Sequence, residues 1–283
     1  MRQRILGSLM IIGCAGMLLP AQSQPSVPIF SDEFSAHELD RSKWNVIITG
    51  ETVNDEQQAY VDSPETIAIV QDAPGAEAGA LAIRTRFTPQ FTTPEGRKFD
   101  FISGRLDTRS KFDFTYGTAS ARVKLTAGVG LWPAFWALGN GEWPDTGEMD
   151  ILENVGDPAW INFALHGPNY SGEKGLAKRK YFQPPDDITG WHVYSMRWTN
   201  ESLVFLVDDR EEYRMTRAMV EEHGAWAYDS PKFLIANQAI GGGYPQAVNG
   251  VSTPYKGLPQ STVDLIKQGK ALMLVDWVRV TRP

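Results

Sequence analysis

Polar and apolar residues alternate one by one along much of the chain. Thr118, Ser120, Arg122 and Lys124 interleave with Ala119, Ala121, Val123 and Leu125, the period of a strand with one buried face. Comparable β-rich runs are Thr66–Val70, Leu81–Phe87, Trp132–Leu138, Asn162–His166, His192–Trp198, Leu203–Asp208, Phe233–Ile240 and Leu272–Val280. Turn-forming residues separate them, among them Pro74-Gly75, Pro94-Glu95-Gly96, Gly139-Asn140-Gly141 and Gly241-Gly242-Gly243. Only Thr216–His223, stopped by Gly224, reads as helix, and the loop Gln246–Thr262 carries no legible pattern. Without helices to make crossovers, the strands predict antiparallel sheets in a sandwich or jelly roll. No repeat or linker divides the chain.

The first residues break this pattern. Arg2 and Arg4 precede an apolar stretch, Ile5 to Leu19, and a small-residue exit, Pro20-Ala21-Gln22-Ser23. That is an export signal, so residues 1–23 are expected to be removed and the product to be secreted or periplasmic. The stretch is shorter than the ~20 residues of a membrane span. Ile11-Ile12-Gly13-Cys14 resembles a lipoprotein box, the alternative in which Cys14 carries a lipid anchor. The apolar run continuing past it to Leu19 favours cleavage. Cys14 is the only cysteine, so stability must come from one large core over residues 24–283. Arg2 and Arg4 are two of only 27 basic residues set against 34 acidic ones. This balance excludes a nucleic-acid or anionic-membrane partner, whose binding is driven by Lys and Arg. A neutral polymer fits, bound by a monomer, and nine tryptophans supply surfaces for sugars to stack on.

The chemistry is concentrated in Glu148-Met149-Asp150-Ile151-Leu152-Glu153. Cutting a glycosidic bond takes two carboxyl groups facing one sugar. On a regular strand Glu148 and Asp150 share a face and Glu153 points away. One extra residue between Asp150 and Glu153, a β-bulge, would bring all three acids to one groove, with Met149 and one of Ile151 or Leu152 in the core. Crowded acids repel, which holds a proton on a neighbouring Glu and suits it to act as a general acid. A solvated acidic strand edge is the competing reading of the same spacing. Trp132 and Trp136, four apart on a strand, share a face with Ala134 between them.

These residues, with Phe30-Ser31-Asp32-Glu33-Phe34, Ser103-Gly104-Arg105, Gly130-Leu131-Trp132-Pro133-Ala134-Phe135-Trp136, Ala164-Leu165-His166-Gly167 and Val275-Asp276-Trp277, resemble the laminarinase-like branch of glycoside hydrolase family 16. The resemblance implies an all-β jelly roll with a concave substrate groove, and retaining hydrolysis of β-1,3-glucan by an endo-β-1,3-glucanase. Glu148 would be the nucleophile, Glu153 the acid/base, and Asp150 the residue between that keeps their protonation states apart. His166 would support them. Trp132, Trp136, Trp143, Arg105 and Asn54 would contact sugar, with Glu56 and Gln238 as further polar contacts. No cofactor is required by this chemistry, but some members hold structural calcium through acids matching Glu33 and Asp276, and oxygen ligands suit that ion. Tyr244 stands where the family commonly has Trp. Mixed-linkage glucan as a further substrate, an agarase- or carrageenase-like hydrolase, and a noncatalytic glucan-binding module are the alternatives. A binding module has no use for both Glu148 and Glu153.

Overall fold

The computed structural model describes residues 27–283; the export signal and Cys14 lie outside them. Two large antiparallel sheets face each other. Sheet one runs β16 (Arg210–Thr216), β15 (Ser202–Val207), β14 (His192–Trp198), β9 (Gly117–Leu125), β18 (Leu272–Thr281), β5 (Ala80–Arg84) and β4 (Ile67–Val70), with β1 (Phe30–Asp32) also on β18. Sheet two runs β13 (Leu176–Tyr181), β12 (Trp160–His166), β11 (Glu148–Glu153), β10 (Leu131–Gly139), β17 (Lys232–Ile240), β8 (Arg105–Asp107) and β2 (Asn45–Val46). A small third sheet joins β3 (Gln58–Tyr60), β7 (Lys98–Ser103) and β6 (Arg86–Thr92). This is the jelly-roll sandwich that the alternation predicts.

One continuous core fills the space between the two large sheets. Ala119, Ala121 and Val123 of β9, Tyr194 and Met196 of β14, and Val275 of β18 meet Phe135 of β10, Met149 of β11, and Phe163 and Leu165 of β12. Burying the odd-numbered residues of β10 turns Trp132, Ala134 and Trp136 to the opposite, concave face.

Three local expectations are corrected. Leu81–Phe87 is two strands in two sheets, breaking at Thr85, whose N–H donates to the Ala271 carbonyl. Helix α1 (Arg217–Glu221) is where expected, but α2 (Gly243–Asn249) and α3 (Gln260–Lys267) occupy the two ends of the segment that shows no pattern in sequence. Helix α3 buries Val263 and Ile266 against Phe101, Leu131 and Ile240. At eight residues it is too short to announce itself by periodicity, and tertiary packing holds it. Gln238 is not in the groove. It alternates with Asn237, lies opposite Pro133, and is 1 % exposed.

Candidate active site

Residues directly opposed across antiparallel strands share a face, so the registers of sheet two define rows across its concave side. Arg105, Asn237, Ala134, Glu153, Asn162 and Arg179 form one row. Trp136, Asp150, Ala164 and Ala177 form the next, and Glu148 and His166 a third. The three acids share this face because the pairing of β11 shifts: Asp150 opposes Ala164, but Glu153 opposes Asn162. Two residues, Ile151 and Leu152, therefore stand where β12 offers only Phe163. The same slip occurs against β10, between Phe135 and Trp136. The expected bulge is present, with one correction: Ile151 and Leu152 both enter the core, each 0 % exposed.

Each acid has its own partners. Glu153 accepts from Trp132 Nε1 at 2.9 Å through Oε1 and from Asn162 Nδ2 at 3.0 Å through Oε2. Glu148 Oε2 accepts from Trp143 Nε1 at 2.8 Å, and its Oε1 lies 3.8 Å from His166 Nε2. The nearest cationic nitrogen to Asp150 Oδ2 is again His166 Nε2, at 3.4 Å. Burial, and after it the negative charge of Asp150, raises both Glu148 and Glu153 above the usual carboxylate range. Burial alone would strip the proton from His166, but Asp150, Glu148 and Glu153 outweigh it and push the imidazole up to about 9. At neutral pH the cluster holds a half-buried cation among acids that keep protons unusually well.

Two close approaches shape it. Gly147, at φ +73°, precedes Glu148, and a Cβ there would meet the Ala227 carbonyl oxygen at 2.7 Å. Only glycine lets the chain turn there into β11. A Cβ on Gly175 would lie 2.4 Å from His166 Cε1, so the segment that covers the imidazole needs a residue without a side chain. Tyr228 Oη donates to the His166 carbonyl at 3.0 Å and anchors that strand end.

The remaining sequence candidates divide. Trp143 is 50 % exposed and is tied to Glu148, while Trp132 is 9 % exposed, tied to Glu153 and packed edge-on against Tyr244. Trp136 donates to Asn237 Oδ1 at 2.8 Å and carries the Arg105 guanidinium 5.2 Å over its ring. Arg105 makes no ion pair within 4.0 Å among the described residues. Asn54 is exposed, and its backbone carbonyl accepts from the Gly243 N–H at 2.6 Å. Glu56 is partly buried and accepts from Gln58 at 2.7 Å. Asn162, Asn237 and Tyr60, whose Oη accepts from Asn237 Nδ2 at 3.1 Å, are site residues that sequence reading misses. An asparagine inside the apolar run Trp160–His166 was the available signal, because a buried amide requires partners.

Glu33 and Asp276 do not fit calcium as they stand. Glu33 accepts from Arg279 at 3.0 and 2.6 Å. Asp276, buried, pairs with Arg122 and accepts from the Glu77 N–H at 2.9 Å. Each carboxylate already faces a guanidinium. Among the described residues, Glu148, Asp150 and His166 are the one group of three metal-ligating side chains with atoms within 4.8 Å of one another, and there the imidazolium and the Trp143 N–H already supply the positive partners.

A concave sheet that presents glutamates with raised pKa values among tryptophan N–H donors defines a glycoside-cleaving groove. The chain belongs to glycosyl hydrolases family 16, whose model matches residues 38–257. It is 32 % identical to a beta-glucanase of Rhodothermus marinus, over 96 % of this chain and 91 % of that one. The endo-beta-1,3-glucanase of Pyrococcus furiosus superposes with a TM-score of 0.76 at 31 % identity, covering 90 % of this chain and 94 % of the other. The laminarinase catalytic domain of Thermotoga maritima does so with a TM-score of 0.76 at 29 % identity, covering 92 % and 99 %.

Proposed function

We propose that this protein is an endo-acting, retaining β-1,3-glucanase that also cuts mixed-linkage β-1,3-1,4-glucan where a β-1,3 bond reaches the site. The observation that carries the reading is the bulge at Ile151-Leu152, which aims Glu148 and Glu153 from one strand into one groove. Glu148 attacks the anomeric carbon. It is helped toward its ionised form by the Trp143 N–H and the His166 cation. Glu153, held protonated by burial and by Asp150, gives its proton to the departing oxygen. A covalent glycosyl-enzyme forms, and Glu153 then takes a proton from the water that releases it. Asp150 and His166 tune these charges without bonding to sugar. Trp136 and Trp143 offer ring faces, and Arg105 and Asn54 polar contacts, along the groove.

The glucanase and laminarinase relatives favour β-1,3-glucan over agar or carrageenan. The presence of both glutamates argues against a noncatalytic binding module. We also read the protein as exported, from Arg2, Arg4 and the apolar residues after them. The test is a panel of soluble polysaccharides with reducing-end and product analysis. Laminarin should be cut to short oligomers whose first-formed anomer is β. Depolymerisation of agarose or carrageenan with laminarin untouched would overturn the substrate, and an α first product the mechanism.

A further inference from the structure

The row that holds Glu153 ends in an arginine on each side, Arg105 on β8 and Arg179 on the edge strand β13. Arg179 is exposed but not loose. Its guanidinium lies 4.0 Å over the ring of Trp160, which is itself buried, and it faces the Tyr244 hydroxyl. Among the described residues no carboxylate lies within 4.0 Å of it. Stacking occupies the flat face of a guanidinium and leaves its five in-plane N–H donors at the edge; the Tyr244 hydroxyl takes up only part of that set, so a stacked cation keeps donors to offer along the groove floor.

That floor is shaped beside it. The row of Asp150 continues across β12 and β13 as two small side chains, the buried Ala164 and the exposed Ala177, beside Asn162 and Arg179. Beyond Arg179 on the same face, Tyr181 lies opposite Trp160 and is 54 % exposed. An exposed aromatic on an edge strand invites a covering partner. Strands are spaced ~4.8 Å apart, roughly the length of one pyranose ring. A glycan crossing the sheet from Glu153 toward this edge therefore sets one ring over Ala164 and a second over Ala177.

Resting on the glucanase reading, we infer that the β13 end of the groove is a sugar subsite: the second ring lies over Ala177, and Arg179, the next residue on that face, donates hydrogen bonds to its hydroxyls. Arg179 is then a specificity-determining residue that decides where along a chain the cut falls.

Two variants test this on β-1,3-linked glucose oligomers of three and six residues: Arg179→Ala removes the donors, and Ala177→Trp fills the exposed floor. Losing charged hydrogen bonds to the second ring should lower the hexamer-to-trimer ratio of kcat/KM about tenfold, mainly through KM, and move the main cut along the hexamer by one bond. Unchanged ratio and cut position in both variants overturns the subsite while the hydrolase reading stands. So does an equal loss on both oligomers, which would mean a general disturbance of the groove. A wild-type enzyme that cuts neither oligomer overturns the hydrolase reading and the subsite with it.

Discussion

Between Glu148 and Glu153, Asp150 lies buried with Oδ2 3.4 Å from the His166 imidazole. Its charge is the second cause, after burial, of the raised pKa of both glutamates, which makes three residue-scale outcomes calculable in sign. Glu148→Gln and Glu153→Gln should each lose two to four decades of turnover with an unchanged circular dichroism spectrum, because an amide neither attacks nor exchanges the proton. Asp150→Asn removes the negative neighbour, so Glu153 gives up its proton at lower pH. The alkaline limb of the kcat/KM profile should move toward acid; a shift the other way would remove Asp150 from its role. His166 is raised from 6.5 to about 9, so its contribution to stability is complete below pH 6.5 and is lost as pH rises through 9. Urea midpoints should fall over that window, and less steeply in His166→Gln.

At the scale of the element, β11 serves two surfaces that a regular strand cannot serve together. Its bulge sends Ile151 and Leu152 into the core in succession and Glu153 outward. The packing of those two side chains therefore fixes the direction of the acid/base candidate. Ile151→Ala should destabilise the fold by about 2–5 kcal/mol in urea titration, and kcat should fall more than KM rises as Glu153 loses its aim. Undiminished stability would mean that the bulge is held by its hydrogen bonds rather than by the core. Helices α2 and α3 act differently, closing the end of the sandwich beside β10 and β17 without supplying any of the three acids.

For the molecule as a whole, the core between the sheets is large and the chain has one cysteine, so no intrachain disulfide contributes. Reducing agent should leave the Tm where it is. The concave face crosses β8, β17, β10, β11, β12 and β13, and a curved floor suits the bent path of a β-1,3-linked chain better than the flat ribbon of a β-1,4-linked one. Cellulose should be left uncut in an overnight digestion that consumes laminarin. Release of cellobiose would show that curvature does not select.

Alternation, turn residues and the carboxylate spacing are local properties, and local order decided what they specify: the strands, the antiparallel sandwich, the need for a bulge, and the identity of Glu148, Asp150 and Glu153. The pairing of Trp143 with Glu148, Trp132 with Glu153, and His166 with Asp150 depends on strand register, which residues far apart in the chain set jointly. Asn237 and Tyr60 were invisible for that reason, Asn162 was marked only by its place inside an apolar run, and Gln238 misled because its neighbours, not its own polarity, determine which face it takes. The tertiary structure alone could show that Glu33 and Asp276 face arginines, since a carboxylate reads the same in sequence whether it meets a metal or a guanidinium. It alone set Arg179 and Ala177 in line with Glu153 and Asp150 of β11, because β13 joins the sheet at its edge and its residues acquire meaning only from the row they complete.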